Sequence, residues 1–282
     1  MSADPGFSET AALVRGHDRE RYLAALFAPK LFRADLMALY AFNCELARIP
    51  DLVSEPMLGE IRLQWWRDVL DGPGREAPTG NPLADALADA ITRHSLPVAQ
   101  LKGMIDARSA YLDGGGFNDF QALKAYLYKS EGAVFALSAK ILGKEDASVT
   151  RAANAAGVAY GLKKVLANLP RDAAAGRVML PLDLLERHGI QPEQVLAGNE
   201  AASLADVVAE LVGEGREALA AFRQTFGGLK GSANPAFAPL ATFDAIISKV
   251  EAAGHRPLHD IAEINPLVRF IHIWRAARTG RI

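Results

Sequence analysis

The sequence contains a single cysteine, Cys44, among 282 residues. That excludes an internal disulfide and any metal site built from several thiolates, and it suits a reducing compartment. A small buried apolar side chain is the simplest reading of Cys44, ahead of a reactive thiol. Long apolar runs are also missing, and no stretch approaches the ~20 residues that a membrane-spanning helix requires. The opening MSADPGFSETAALVRGHD has no apolar segment behind a basic start, so it does not read as a secretory signal, and it is too acidic for a good transit peptide. Neither charge dominates: 31 Lys and Arg face 33 Asp and Glu, a net charge of −2. No global field draws the chain to nucleic acid or anionic lipid, so a charged partner must be met locally. The expectation is a cytoplasmic protein, with peripheral contact at the inner membrane left open and no nucleic-acid partner.

Strand-like two-residue alternation is absent, while helical periodicity runs almost throughout. Half of the residues are apolar, enough for a large core. In SLADVVAELVGEGREALAAF, Leu204, Val207, Val208, Leu211, Leu219 and Phe222 follow one helical stripe, and Ser203 with Asp206 predicts a capping box. Thr242 is placed to cap the start of TFDAIISKVEAAG and Gly254 to stop it. Asn265 and Pro266 open a final helix, NPLVRFIHIWRAARTG. Breakers follow Asp71, Tyr111, Leu142, His188 and Lys230, none of them a long linker. These signals predict one all-α domain over residues 1–282, with eight to ten helices and residues 1–16 as a flexible N-terminal segment. Periodicity alone leaves separate helical domains open.

Common catalytic patterns are missing. His255 and His259 are spaced for one helical face, but Pro257 lies between them and no acid occupies a general-base position, so solvated or capping roles are expected. There is no G-x-S-x-G elbow and no P-loop. Gly114 to Gly116 read as a helix-terminating loop. Trp65, Trp66 and Trp274 read as core or groove packing, although an exposed Trp65 or Trp66 would instead mark a partner surface.

Two regions resist so plain a reading. One is ALYAFNCELARIPDLVSEP, continuing into GEIRLQWWRDVLDG. The other is AAGVAYGLKKVLANLPRDAAAGRVMLPLDLL, in which Gly157, Ala159 and Gly161 suit either tight packing or a cavity wall. With LMALYAFN, MIDARSAYLD, LKAYLYKSEGAVFALSAKILG and PLATFDAIISKVEAAG, these phrases resemble the squalene/phytoene synthase family over nearly the whole length. The resemblance implies an all-α isoprenoid synthase helical bundle with a central apolar cavity capped by two acidic helices. The activity it implies is head-to-head condensation of two prenyl diphosphates.

Ionising an allylic diphosphate takes Mg²⁺ ions held by clustered carboxylates. The family's D-D-x-x-D motif falls on Ala47, Arg48, Ile49, Pro50 and Asp51, and its D-x-x-E-D motif on Asn168, Leu169, Pro170, Arg171 and Asp172. Asp51 and Asp172 are the catalytic remnants, and with the uncharged Asn168 they are the candidate metal ligands. Arg48 and Arg171 put cations where cations should bind, and Pro50 and Pro170 are expected to disturb the helices carrying the motifs. Glu45 and Arg48, three apart, can pair with each other instead. AFNCELARIPDLVSEPMLGEIRLQWWRDVLD further resembles a divergent branch of the family that includes the mitochondrial complex I assembly factor. That likeness implies a link to respiratory complex assembly without established prenyl transfer.

Two functions follow. The leading one is a catalytically degenerate homologue that acts as a binding or assembly protein, with a respiratory complex subunit or assembly factor as partner and an apolar cavity for a lipid or isoprenoid. No cofactor is assigned to it. The alternative is an active Mg²⁺-dependent head-to-head prenyltransferase acting on farnesyl or geranylgeranyl diphosphate. Between them, Lys129, Lys163, Lys164, Arg171 and Arg177 can hold a phosphate head group without metal, with solvated surface lysines and a structural Arg177 binding a carbonyl or acid as the competing reading. Tyr40, Asn43, Arg48, Tyr128 and Asn168 complete the candidate ligand set, with core packing the competing reading for both tyrosines.

Overall fold

The computed structural model describes residues 5–53, 55–72, 79–112, 114–227 and 231–282. Residues 1–4 of the expected flexible segment, Ser54, positions 73–78 of the breaker after Asp71, Asp113 and Lys230 lie outside the described residues. The helices are α1 (Pro5–His17), α2 (Arg19–Phe27), α3 (Arg33–Leu52), α4 (Pro56–Asp71), α5 (Pro82–His94), α6 (Val98–Ser109), α7 (Phe120–Leu127), α8 (Ala133–Ile141) and α9 (Ala147–Ala174). They continue with α10 (Leu182–Arg187), α11 (Pro192–Leu196), α12 (Leu204–Phe226), α13 (Asn234–Phe237), α14 (Phe243–Val250) and α15 (Pro266–Thr279). Among the described residues twelve of them have eight or more residues and three are shorter, above the eight to ten expected. Among the described residues the only strand-like pairing is an isolated bridge between Phe117 and Pro181.

The 28-residue α9 is the axis of the bundle. Asp146 starts it by accepting from the amides of Ser148 (2.7 Å) and Val149 (3.0 Å), two of the donors a helix start leaves open. Its flanks pack on α8, α12 and α14, and on the π turn Tyr128–Gly132 that joins α7 to α8. Here Gly157 serves close packing, since a Cβ on it would lie 2.5 Å from the backbone of Gly132, while Gly161 also lines a cavity. α3 packs against α1, α5 and α8, so its C-terminal half lies across from that of α9. Between them Phe135 stacks on Phe237 with centroids 5.6 Å apart and meets Tyr160 edge-on at 5.5 Å, and these rings fill the bundle interior.

Several local expectations need correction. Residues 5–16 of the expected flexible segment lie within helix α1. Ser203 flanks α12, but its hydroxyl donates to the carbonyl of His188 (3.0 Å) and forms no capping box. Thr242 does not cap α14, because its hydroxyl turns inward to Glu20 (2.9 Å). Gly254 takes a left-handed φ of 83°, yet α14 has already ended at Val250. Pro50 and Pro170 stay inside α3 and α9, each in the last turns, where the helix runs on to Leu52 and Ala174. Asn265 and Pro266 do open α15, with the Asn265 side chain accepting from Leu267 N (2.8 Å).

Candidate functional site

A cavity of about 320 Å³ opens between the C-terminal halves of α3 and α9, lined by charged as well as apolar side chains. The resemblance predicts an apolar lining, so the polarity of this cavity departs from it. Asp51 from α3 and Asp172 from α9 both reach it, and Arg177 joins them: its guanidinium donates to Asp51 (2.6 Å) and to Asp172 (3.2 Å). The backbone sets this position. Past the end of α9, Gly176 turns with φ of 73° and the amide of Arg177 bonds back to the Asp172 carbonyl (2.8 Å). The Gly114 loop then closes on Arg177 so tightly that a Cβ on Gly114 would sit 2.9 Å from the arginine side chain. Burial pushes the Asp172 carboxyl above the ordinary range even with Arg177 beside it. Burial acts to lower Arg177, but the two acids outweigh it and raise the guanidinium further.

The other candidates of the two motifs turn elsewhere. Asn168 donates its side-chain NH₂ to the Lys164 carbonyl (2.7 Å), one turn back on α9. Arg48 pairs with Glu45 at 3.2 Å, as the three-residue spacing predicts, and Arg171 is exposed on the rim. Lys164 binds Glu131 (2.9 Å). Asn43 is buried on the cavity wall, with its carbonyl oxygen lacking a hydrogen-bond partner. Tyr40 is buried in the core, where burial pushes its phenol up to about 12. Tyr128 packs half-buried against the core and Lys129 is exposed; neither lines the cavity. Lys163, offered as a phosphate contact, is buried between Glu20 (2.5 Å) and Thr242 (2.9 Å) and is spoken for. Cys44 is buried, and its thiol is pushed up to about 12 by the loss of water around it.

Beneath the cavity lies an ionic cluster that motif reasoning missed. Arg21 is buried between Asp18 (3.1 Å) and Glu131 (2.7 Å), with its guanidinium 4.8 Å from the ring centre of Tyr160. Burial would raise the Glu131 carboxyl, but Lys164, Arg21 and Arg108 outweigh it and hold it well below the usual carboxylate range. The available signal was the charge inside otherwise core-like segments, RERYLAALF and LYKSEGAVFAL.

The donor set does not fit a Mg²⁺ cluster. Each motif helix supplies one carboxylate, both are engaged by one guanidinium, and the third candidate ligand is turned to its own backbone. Among the described residues no group of three or more His, Cys, Asp or Glu side chains is placed to hold a metal. On α4, beside Phe42 of α3, Trp66 is buried while Trp65 is 40 % exposed alongside Ile61 and Met57. The tryptophan pair thus divides between core and surface.

The squalene/phytoene synthase family model matches residues 14–268. The bovine NADH dehydrogenase (ubiquinone) complex I assembly factor 6 is 31% identical over 267 residues, covering 93% of this chain and 80% of the relative. Phytoene synthase of Mycobacterium tuberculosis is 28% identical over 182 residues, 64% of this chain and 59% of that enzyme. The crystal structure of squalene synthase HpnC from Alicyclobacillus acidocaldarius superimposes with a TM-score of 0.69 at 21% identity, over 87% of this chain and 94% of that one, a likeness of fold. The helical bundle, the family match and the placement of both motif remnants on facing helices lead to one assignment: the chain belongs to the squalene/phytoene synthase family.

Proposed function

We propose that this chain is a non-catalytic member of its family that works as an assembly protein for a respiratory NADH dehydrogenase, in the cytoplasm at the face of the inner membrane. The observation that carries the reading is the fate of the metal motifs. Four acids are replaced, and the two that are left, Asp51 and Asp172, are answered by Arg177. The similarity to complex I assembly factor 6 over 93% of the chain supports the same reading. A protein partner, either a complex subunit or another assembly factor, suits the exposed Met57, Ile61 and Trp65 on α4. Asn43 favours a second, smaller role for the cavity: its unpartnered oxygen suits a ligand or water that donates a hydrogen bond.

The test is genetic and chemical. Deleting the gene lowers the amount of assembled NADH dehydrogenase on native gels, and a chain carrying Asp51→Asn with Asp172→Asn restores it as fully as the natural one. Failure of that folded double variant to restore assembly returns the function to the acids. So does conversion of farnesyl or geranylgeranyl diphosphate to a C30 or C40 product by the purified protein with Mg²⁺.

A further inference from the structure

Helix α15 is attached by one face only. Ile273, Ala276 and Ala277 bury against Ala24 of α2 and Ala238, and Phe270 meets Phe27 of α2 with centroids 5.7 Å apart. The neighbouring face carries Leu267, Phe270, Ile271 and Trp274, at positions i, i+3, i+4 and i+7 of one helical stripe, exposed by 65%, 41%, 47% and 45%. Four adjoining apolar side chains on one helix form a patch that water does not favour. Arg275 and Arg278 border this stripe, both exposed, and Arg281 follows them. No acidic side chain occurs between Ile264 and Ile282, and the nearest acids, Asp260 and Glu263, precede the helix. Arg269, on the inner side, turns toward the buried Glu20 (4.0 Å) and takes no part in the outer charge.

We propose that α15 is a membrane-docking helix, lying in the plane of an anionic lipid surface with Leu267, Phe270, Ile271 and Trp274 among the acyl chains and Arg275, Arg278 and Arg281 at the phosphates. An apolar stripe with a large aromatic and a cationic border is the composition of a helix that lies at a bilayer interface. Each arginine near such a surface adds attraction of the same order, and the absence of acids lets these contributions accumulate. A second copy of the chain fits less well. The patch is confined to one 14-residue helix, short of the ~800 Å² per partner that stable interfaces bury, and two copies would oppose their arginine borders. No helix among the described residues is long and apolar enough to cross a membrane, which fits a helix that lies at the surface. The inference deepens the membrane-face location proposed above and is separate from the assembly role: a failed vesicle assay removes that location and leaves the assembly role intact, and failed complementation leaves the docking helix intact.

The experiment is flotation of the purified full chain with vesicles of phosphatidylcholine alone and of phosphatidylcholine rich in phosphatidylglycerol. The chain floats with the anionic vesicles, is released by high salt, and shows a blue shift in emission that Trp274→Phe abolishes. Arg275→Glu with Arg278→Glu, and separately Phe270→Ser with Trp274→Ser, weaken binding by about tenfold or more, since each removes two of the interfacial contacts. These positions are exposed, and circular dichroism with thermal melting verifies that the variants stay folded. No flotation with anionic vesicles overturns the proposal, as does binding that both double variants retain. Concentration-dependent self-association that Phe270→Ser with Trp274→Ser abolishes, with no vesicle binding, assigns the stripe to a second copy instead and also overturns it.

Discussion

The most constrained residues are the buried charges beneath the cavity. Glu131 is shared by Arg21 and Lys164, and removing one partner of such an arrangement strands the others in a dry site. Glu131→Gln is expected to destabilise the fold by about 3–5 kcal/mol, read by chemical denaturation. The pH dependence has a defined sign. The folded pKa of Glu131 lies below its ordinary value of 4.5, so its contribution is complete above that pH and is lost as the pH falls toward the folded value. The stability gap between natural chain and variant therefore closes on acidification below 4.5 and is flat above it. Asp172 has the opposite sign: burial raises it, so the folded state prefers its protonated form and gains nothing from its ionisation as pH rises.

At the level of the helix, contact between α9 and the π turn is set by the missing side chain of Gly157. Its Cβ would meet the Gly132 backbone at 2.5 Å, a contact that only a shift of the helix or the turn can relieve. Gly157→Ala is expected to cost about 1–3 kcal/mol, the range of overpacked cores. Gly213, exposed within α12, has open space where a Cβ would stand, so Gly213→Ala should instead stabilise by about 0.5–1 kcal/mol by stiffening the unfolded chain. Opposite shifts in melting temperature for two Gly→Ala changes in long helices would separate close packing from helix propensity. The same elements place the site, because Gly157 sets how near α9 approaches the turn that carries Glu131.

For the whole molecule, the bundle brings the two motif remnants onto facing helices and places Arg177 between them. Millimolar Mg²⁺ with inorganic diphosphate is expected to leave the melting temperature unchanged, since a ligand stabilises only by binding the native state. A rise that depends on both, and that Asp51→Asn with Asp172→Asn abolishes, would mean that the acids still gather metal. The exposed apolar surfaces are also arranged at this scale. Trp65 with its α4 neighbours and Trp274 with its α15 neighbours lie on separate helices, so a protein partner and a lipid surface can be engaged by different faces.

Local sequence was enough for the all-α class, the capped start at Asn265 and Pro266, the loss of acids at positions 47–51 and 168–172, and the pairing of Glu45 with Arg48. Helical geometry brings residues three or four apart onto one face whatever the rest of the chain does. It took the packed bundle to make Arg177, and neither Arg48 nor Arg171, answer Asp51 across 126 residues. Packing also buried Arg21 with Glu131, engaged Lys163 with Glu20 and Thr242, and exposed Trp65 while covering Trp66. Those outcomes depend on which helices meet, how closely and to what depth, and neither spacing nor composition encodes the distance between two side chains on different helices.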